Sequence, residues 1–246
     1  MSIETPEELE ALRDSGRVVA EALRAMRRAV RPGVTTGELD TVAARMFRRA
    51  GARSAPQLTY GFPGTTCISV NDEAVHGIPG PRRLREGDLV KLDVAAELDG
   101  FYADACVSVG VGRARPATNR LAAAARHALS QALRVARAGA PQSVIGATIE
   151  RDAAARGYAV CAELMGHGIG RHLHEAPDVP SVHVPALSQV LTDGLVLTIE
   201  PIMSTGTGEV RQGHDGWTVC TADGALSAHE EHTIVITPGA PLVLTA

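Results

Sequence analysis

Aromatic side chains make up only 3% of this 246-residue sequence, and Trp217 is its single tryptophan. No uninterrupted apolar stretch approaches the roughly 20 residues that a membrane-spanning helix needs. The formal net charge of −4 gives no overall basic field for nucleic acid or for an anionic membrane. We therefore expect no membrane partner, and each of the few aromatic residues carries more weight than usual.

Paired cysteines are absent as well. The four cysteines are scattered without a CxxC spacing, which predicts reduced thiols and neither a disulfide framework nor a zinc ribbon. The first residues, Met1–Thr5, are polar and acidic and do not resemble a secretory signal. These absences, with ordinary apolar and charged fractions of 45% and 21%, favour a cytoplasmic globular enzyme.

What the sequence does contain is an alternation of helical and strand-like segments. Helices are predicted over Glu7–Val30, from Thr35 or Thr36 to Gly51, over about Pro116–Ala138, and over Gln142–Arg156. Strands are predicted within 65–111 and over Leu195–Ile202, Trp217–Thr221 and Thr233–Thr237. The arginines of the first two helices form either a solvated face, which we favour, or a face that touches ribosomal RNA.

A short internal repeat indicates two similar halves. The segment Gly87–Asp93 and the segment Asp193–Glu200 each consist of a turn, an apolar strand and a carboxylate. Two predicted helices precede each strand group. The repeat predicts that each half contributes an acid to a shared centre.

Two aspartates are expected to converge on one hairpin. Asp99-Gly100 is a strong signal for a two-residue turn. This turn places Asp104 opposite Ala95, two residues from Asp93 and on the same face of the sheet. A buried pair of like charges needs a shared proton, as in an acid–base dyad, or a cation, as in a metal site. A third interpretation leaves one carboxylate in water at a sheet edge, and the two aspartates taken alone favour this one.

Three more residues favour the metal site. Glu200 ends an apolar strand, Glu231 begins another, and Gly166–Gly170 presents His167 among glycines that allow close backbone approach. The glycine segment lacks the spacing and the lysine of a nucleotide-binding loop. Four carboxylates and one imidazole suit Mn²⁺, Fe²⁺, Co²⁺ or Zn²⁺. Two ions about 3.5–4 Å apart would use five ligands better than one ion, and hydrolysis of an amide or a phosphate ester is the chemistry to expect.

A family resemblance runs over most of the chain. Its segments are Cys67–Pro79, Lys91–Val94, Asp99–Asp104, Gly166–Arg171 with His174-Glu175, Thr198–Pro201 and Glu231–Thr233. In this order they resemble type I methionine aminopeptidases of peptidase family M24. The resemblance implies an α+β pita-bread fold, with two pseudo-symmetric halves and antiparallel strands around a dinuclear metal site.

The resemblance also implies a role for each candidate residue. The implied ligands of two divalent ions (Co, Mn, Fe or Zn) are Asp93, Asp104, His167, Glu200 and Glu231. Glu200 would also move protons, while His76 and His174 would contact the substrate backbone and stabilise the transition state. Cys67, Phe62 and Trp217 would line the pocket for a methionine side chain, although a core role is nearly as good an explanation for Cys67.

Three positions depart from the family pattern. Tyr60 stands where a histidine is frequent, Leu173 stands where an aromatic residue is common, and His229-Glu230 replaces a more usual Gln-aromatic pair. We expect none of these to touch the five ligands, so only the pocket shape and the preference for the second substrate residue should differ.

The implied enzyme is a methionyl aminopeptidase that removes the initiator methionine from nascent proteins when the second residue is small. We expect one catalytic domain over 1–246, with pseudo-halves of about 1–112 and 113–246, acting as a cytoplasmic monomer with the ribosome as a candidate partner. One alternative is an Xaa-Pro aminopeptidase or prolidase, whose usual large N-terminal domain does not fit this length. Another is a pita-bread binding protein without catalysis, which the complete set of candidate ligands argues against.

Overall fold

The structure is a computed structural model that describes residues 1–187 and 189–246. Its helices are α1 (Pro6–Ala29), α2 (Thr36–Ala50), α3 (Ala55–Tyr60), α4 (Pro116–Val135) and α5 (Ser143–Ala155). The strands before α4 are β1 (Arg53–Ser54), β2 (Cys67–Val70), β3 (Glu73–Val75), β4 (Leu89–Leu98) and β5 (Phe101–Gly110). The strands after α5 are β6 (Ala159–Val160), β7 (Met165–Gly168), β8 (Glu175–Pro180), β9 (Val196–Ile199), β10 (Ile202–Ser204), β11 (Val210–Gln212), β12 (Val219–Thr221), β13 (Ser227–His229), β14 (His232–Val235) and β15 (Leu242–Val243).

Capping residues mark the starts of the first two helices and the end of α2. The Thr5 side chain accepts the backbone N–H of Glu8 at the start of α1. Thr35 and Glu38 form a reciprocal capping box at the start of α2, which ends at Gly51 with a φ of 74°. No helix in the described ranges has both the length and the apolar composition needed to cross a bilayer.

The hairpin β4–β5 has the register that the sequence predicts. Asp99 and Gly100 have φ values of 50° and 85°, as a type I′ turn requires. Ala95 lies opposite Asp104, so Asp93 and Asp104 occupy one face of the hairpin. On its other side β4 pairs with β2, and the apolar side chains of these strands pack with α1 and α2 in one hydrophobic core.

A second sheet holds the other predicted acids. Its strand order is β15-β14-β9-β7-β8, and its apolar side chains pack against α4 and α5 in a separate core. In the β9–β14 pair, His232 lies opposite Ile199, so one further step along the register brings Glu231 opposite Glu200. All strand pairings in the described residues are antiparallel, which confirms the predicted α+β class.

Several predicted boundaries were wrong. The strand expected over Leu195–Ile202 is two strands, β9 and β10, because Glu200 and Pro201 interrupt it and proline cannot donate a ladder hydrogen bond. Helix α4 ends at Val135 and not near Ala138. The short helix α3 was missed, since six residues give too little periodicity to read.

Candidate metal centre

One cavity of about 410 Å³ collects all ten candidate site residues. It lies between the hairpin β4–β5 and the sheet that contains β9 and β14. Its lining includes Phe62, Cys67, His76, Asp93, Asp104, His167, His174, Glu200, Trp217 and Glu231. Residues that are more than 160 positions apart in the chain therefore share one chemical environment.

Three hydrogen bonds join the two regions that contain the predicted acids. The backbone N–H of Asp104 donates to the hydroxyl oxygen of Thr233 at 2.9 Å, and that hydroxyl donates to the backbone carbonyl of Asp104 at 2.8 Å. The backbone N–H of Glu231 donates to the carbonyl of Cys106 at 2.9 Å. Strand β5 of the first region therefore lies against the start of β14 in the second.

Thr198 orients two of the candidate ligands. Its hydroxyl lies 3.0 Å from Glu200 Oε1 and accepts the backbone N–H of His167 at 3.0 Å. The His167 Nδ1 lies 2.9 Å from the carbonyl of Gly168, so this nitrogen is the donor and Nε2 keeps a lone pair. The Nε2 of His167 lies 3.6 Å from Glu200 Oε1. A histidine whose Nδ1 donates to a carbonyl has the tautomer that binds a metal through Nε2.

The donor atoms form two groups that share one glutamate. Atoms of Asp104, His167 and Glu231 lie within 4.8 Å of one another. Atoms of Glu200, His229 and Glu231 form a second group within the same limit. This arrangement can hold divalent cations, with Glu231 between the two groups.

Electrostatics support the fit of a cation. Burial raises the pKa of Asp104 to about 6. Burial, with repulsion from neighbouring carboxylates, raises the pKa values of Asp93, Glu200 and Glu231 well above their ordinary range. Asp104 Oδ1 and Glu231 Oε1 are buried without a hydrogen-bond partner in the described structure. Buried acids without partners are expensive, and divalent cations would satisfy both the charge and these oxygens.

Two further histidines lie beside the acids. The ring of His174 packs against the ring of His167 with centroids 4.0 Å apart and planes tilted by 49°. The Nδ1 of His174 lies 2.6 Å from the hydroxyl of Tyr60. His76 lines the same cavity and has a φ of 56°. Positive φ is strained for a non-glycine residue and is retained where the surrounding structure enforces it.

Phe62, Cys67 and Trp217 form an apolar part of the cavity wall. Phe62 and Trp217 meet edge to face with ring centroids 5.2 Å apart. Cys67 is 7% exposed and pairs with Asp93 across β2 and β4. The cavity therefore brings buried acids and imidazoles together with apolar side chains that could receive one substrate side chain of moderate size.

Comparison with known proteins identifies the family. A sequence model described as Metallopeptidase family M24 matches residues 10–238. The chain belongs to metallopeptidase family M24. Divalent metal use follows from this membership, and the two acid–imidazole groups agree with it.

Within family M24 the chain is similar to methionine aminopeptidases over its full length. It is 41% identical to methionine aminopeptidase 2 of Bacillus subtilis, over 100% of this chain and 99% of that protein. It is 40% identical to the methionine aminopeptidase of a Staphylococcus epidermidis strain, over 100% of this chain and 98% of that one. The crystal structure of methionine aminopeptidase from Thermotoga maritima superposes with a TM-score of 0.96 at 36% identity, over 100% and 99% of the two chains.

More distant M24 structures share the fold alone. Prolidase from Pyrococcus furiosus superposes with a TM-score of 0.79 at 21% identity, and the match covers 99% of this chain but 65% of the prolidase. These neighbours confirm the pita-bread fold.

One expectation about this M24 site was wrong. The departures from the family pattern were expected to stay clear of the five candidate ligands, but His229 Nε2 lies 3.6 Å from Glu200 Oε2 and 3.6 Å from Glu231 Oε2. The β10–β13 pairing, which sets His229 opposite Ile202, has no signal in the local sequence. Thr198 and Tyr60 were also not predicted as site residues, because hydroxyls are too common in sequences to stand out.

Proposed function

We propose that this M24 metallopeptidase is a methionine aminopeptidase that hydrolyses the peptide bond after an N-terminal methionine when the second residue is small. The observation that carries the proposal is the cavity that brings the buried acids and imidazoles together with the apolar side chains of Phe62, Cys67 and Trp217. The identity of 41% over the whole chain to a methionine aminopeptidase supports the same activity.

Five residues would hold two divalent ions, and these are Asp93, Asp104, His167, Glu200 and Glu231. Bound divalent ions supply a nucleophilic water at neutral pH and polarise the substrate carbonyl. The cation can be Co²⁺, Mn²⁺, Fe²⁺ or Zn²⁺, since carboxylate and imidazole ligands accept all four.

Glu200 would carry the proton. Its Oε1 lies 3.0 Å from the hydroxyl of Thr198, which orients the carboxylate. The carboxylate would take a proton from the attacking water and deliver it to the leaving amine nitrogen. Positioned acid–base catalysis of this kind contributes about 10²- to 10⁴-fold in rate.

His76 and His174 would align the scissile carbonyl. In the tautomer in which the Tyr60 hydroxyl donates to His174 Nδ1, the ring proton is on Nε2 and can be donated to a substrate oxygen. The enforced φ of 56° at His76 holds the second imidazole at the cavity. Preorganised donors of this kind stabilise charge that develops on the carbonyl oxygen.

Phe62, Cys67 and Trp217 would receive the methionine side chain. A thioether makes favourable contacts with aromatic ring edges, and the edge-to-face pair of Phe62 and Trp217 presents such edges. No charged group belongs to this trio, as an apolar substrate side chain requires.

The test uses two peptides with matched length. The protein loaded with Co²⁺ or Mn²⁺ should release methionine from Met-Ala-Ser and leave Ala-Pro-Ala intact. Cleavage of Ala-Pro-Ala without release of methionine would establish the Xaa-Pro peptidase alternative and contradict the proposal. Binding of Met-Ala-Ser without cleavage would instead support a non-catalytic binding protein.

The physiological substrates would be nascent chains, met in the cytoplasm by a monomeric enzyme. The arginines of α1 and α2 that the sequence singles out are exposed, namely Arg24, Arg27, Arg28, Arg45, Arg48 and Arg49. Co-sedimentation with ribosomes in low and high salt tests whether this basic surface docks there, since such contacts weaken as salt rises.

A further inference from the structure

His229 is a buried imidazole without any hydrogen bond to its ring. It is 2% exposed, and neither Nδ1 nor Nε2 has a partner among the described residues. Burying an unpaired polar group is costly, so such a residue in a well-packed protein calls for a ligand or an ion.

The backbone of His229 is fixed so that the ring faces the acids. Its N–H donates to the hydroxyl of Ser108 at 2.9 Å, and that hydroxyl donates to the His229 carbonyl at 2.8 Å. Strand β13 also pairs with β10, with His229 opposite Ile202. These contacts fix the backbone at His229, and its buried side chain lines the cavity.

The distances around the ring fit a metal ion better than a hydrogen bond. Nε2 lies 3.6 Å from Glu200 Oε2 and 3.6 Å from Glu231 Oε2, which exceeds the range of about 2.7–3.2 Å for an N–H···O bond. Two donors that each lie about 2.0–2.2 Å from one ion are up to about 4.4 Å apart. A separation of 3.6 Å is within that limit.

Each carboxylate oxygen of Glu200 lies near a different imidazole. His167 Nε2 lies nearest Oε1 and His229 Nε2 nearest Oε2, each at 3.6 Å. We propose that His229 is a sixth ligand, a second imidazole that binds a divalent cation together with Glu200 and Glu231. The inference rests on the proposed metallopeptidase function and adds a nitrogen donor to it.

A second nitrogen changes which cation the centre prefers. Imidazole favours Zn²⁺, Co²⁺ and Fe²⁺, whereas an all-oxygen set suits Mn²⁺ and Mg²⁺ better. We therefore expect this chain to discriminate against Mn²⁺ more strongly when His229 is present than when glutamine replaces it.

The decisive measurement is ¹⁵N NMR of the histidine rings during titration of the metal-free protein with up to two equivalents of Zn²⁺. Two buried imidazoles should move to metal-coordinated shifts in the wild type. One of these signals should be missing in His167→Gln and the other in His229→Gln. Coordination of a single imidazole in the wild type would overturn the proposal, and this result does not depend on whether any variant folds.

His232→Gln is the matched control. His232 lies three positions away and is half-buried, but its Nδ1 already has the Thr245 hydroxyl at 2.9 Å. This variant should keep both coordinated imidazoles.

Metal competition gives a second readout. His229→Gln should weaken Zn²⁺ binding by at least about tenfold, since even partners outside the coordination sphere are worth about 10- to 100-fold, with a smaller loss for Mn²⁺. Equal losses for the two metals would indicate a residue that only orients carboxylates and would overturn direct ligation.

The ring measurement needs no substrate, so it can fail independently of the proposed function. Two coordinated imidazoles without methionine release would sustain the ligand assignment and contradict the aminopeptidase. Methionine release with one coordinated imidazole would do the reverse.

Discussion

The hairpin β4–β5 and the strand pair β9–β14 each bring two acids to the cavity, but they do so differently. Asp93 and Asp104 lie within one continuous hairpin whose register is fixed by the turn at Asp99-Gly100. Glu200 and Glu231 lie just beyond the paired residues of strands that are more than 30 positions apart. Local turn geometry places the first pair of acids, whereas long-range strand pairing places the second.

The two regions also differ in the ligands that surround their acids. The buried imidazoles of the donor groups come from outside the hairpin: His167 lies in β7 and His229 lies in β13. On the hairpin side, Cys67 of β2 lies opposite Asp93 of β4. Burial raises the pKa of the Cys67 thiol well above its ordinary value, so the thiol stays protonated. Each of the two donor groups therefore combines carboxylate oxygens with one imidazole nitrogen.

The largest expected effect tests the second region. Glu200→Gln should lower kcat for Met-Ala-Ser by at least about 10²- to 10⁴-fold, because it removes the proton carrier and a candidate ligand together. Steady-state assays with saturating metal measure the loss. Asp193→Asn removes an exposed carboxyl from the same segment and should leave the rate unchanged; full activity of the glutamine variant would refute the assignment.

A smaller loss is expected at His76, which follows β3. His76→Ala should lower kcat/KM by about 10²- to 10³-fold, the usual contribution of one preorganised donor to a developing oxyanion. His76→Asn is the companion variant, because asparagine tolerates the positive φ of this position. Both variants should lose activity while their far-UV circular dichroism is retained; an active His76→Asn would show that backbone strain, not the imidazole, is required.

The acids of the two regions should repel each other when no metal is bound. Burial and the nearby Asp104 raise the pKa of Glu200 well above 4.5 in the folded protein, so the unfolded chain ionises first. The free energy of unfolding of the metal-free wild type should therefore fall, relative to Glu200→Gln, as pH rises above about 4.5. Urea denaturation in chelator at several pH values measures this difference, and a difference that does not change with pH would contradict the raised pKa.

Thr233→Val would loosen the junction between the regions. It leaves the buried backbone N–H and carbonyl of Asp104 without their hydroxyl partner, which should cost about 1–3 kcal/mol of unfolding free energy. Thr237→Val, which removes a hydroxyl at the surface, should change stability by less than about 0.5 kcal/mol. Equal losses of unfolding free energy in the two variants would show that the Thr233 hydroxyl contributes no more to stability than a surface hydroxyl does.

The smallest effect concerns a contact across the cavity. Tyr60→Phe removes the hydroxyl beside His174 Nδ1 and should lower kcat/KM about fivefold, as expected for loss of a hydrogen bond worth about 1 kcal/mol. The ¹⁵N shifts of the His174 ring should then report a mixture of tautomers. Tyr158→Phe, outside the cavity lining, should alter neither quantity.

Much of the first region could be read from the sequence. The Asp99-Gly100 turn predicted the register of the hairpin and the common face of Asp93 and Asp104, and the structure has both. This succeeded because the side-chain direction in a strand alternates strictly, so a single turn fixes every position that follows.

The second region was harder to predict. The sequence picked out Glu200, Glu231 and His167 by their positions at strand ends and among glycines, but it could not pair β9 with β14 or divide β9 from β10. It also set His229 apart from the candidate ligands, because nothing in Ser227–His229 shows which way a three-residue strand faces.

The sequence by itself determined the fold class, the family resemblance and ten of the residues that line the cavity, because motifs and turns act over short stretches of chain. Only the tertiary structure decided which acid lies beside which imidazole. That choice depends on contacts such as Thr233 with Asp104 and His229 with Glu200, which join residues from distant parts of the chain. No local propensity encodes those distances, since they result from the packing of two separate cores against one shared cavity.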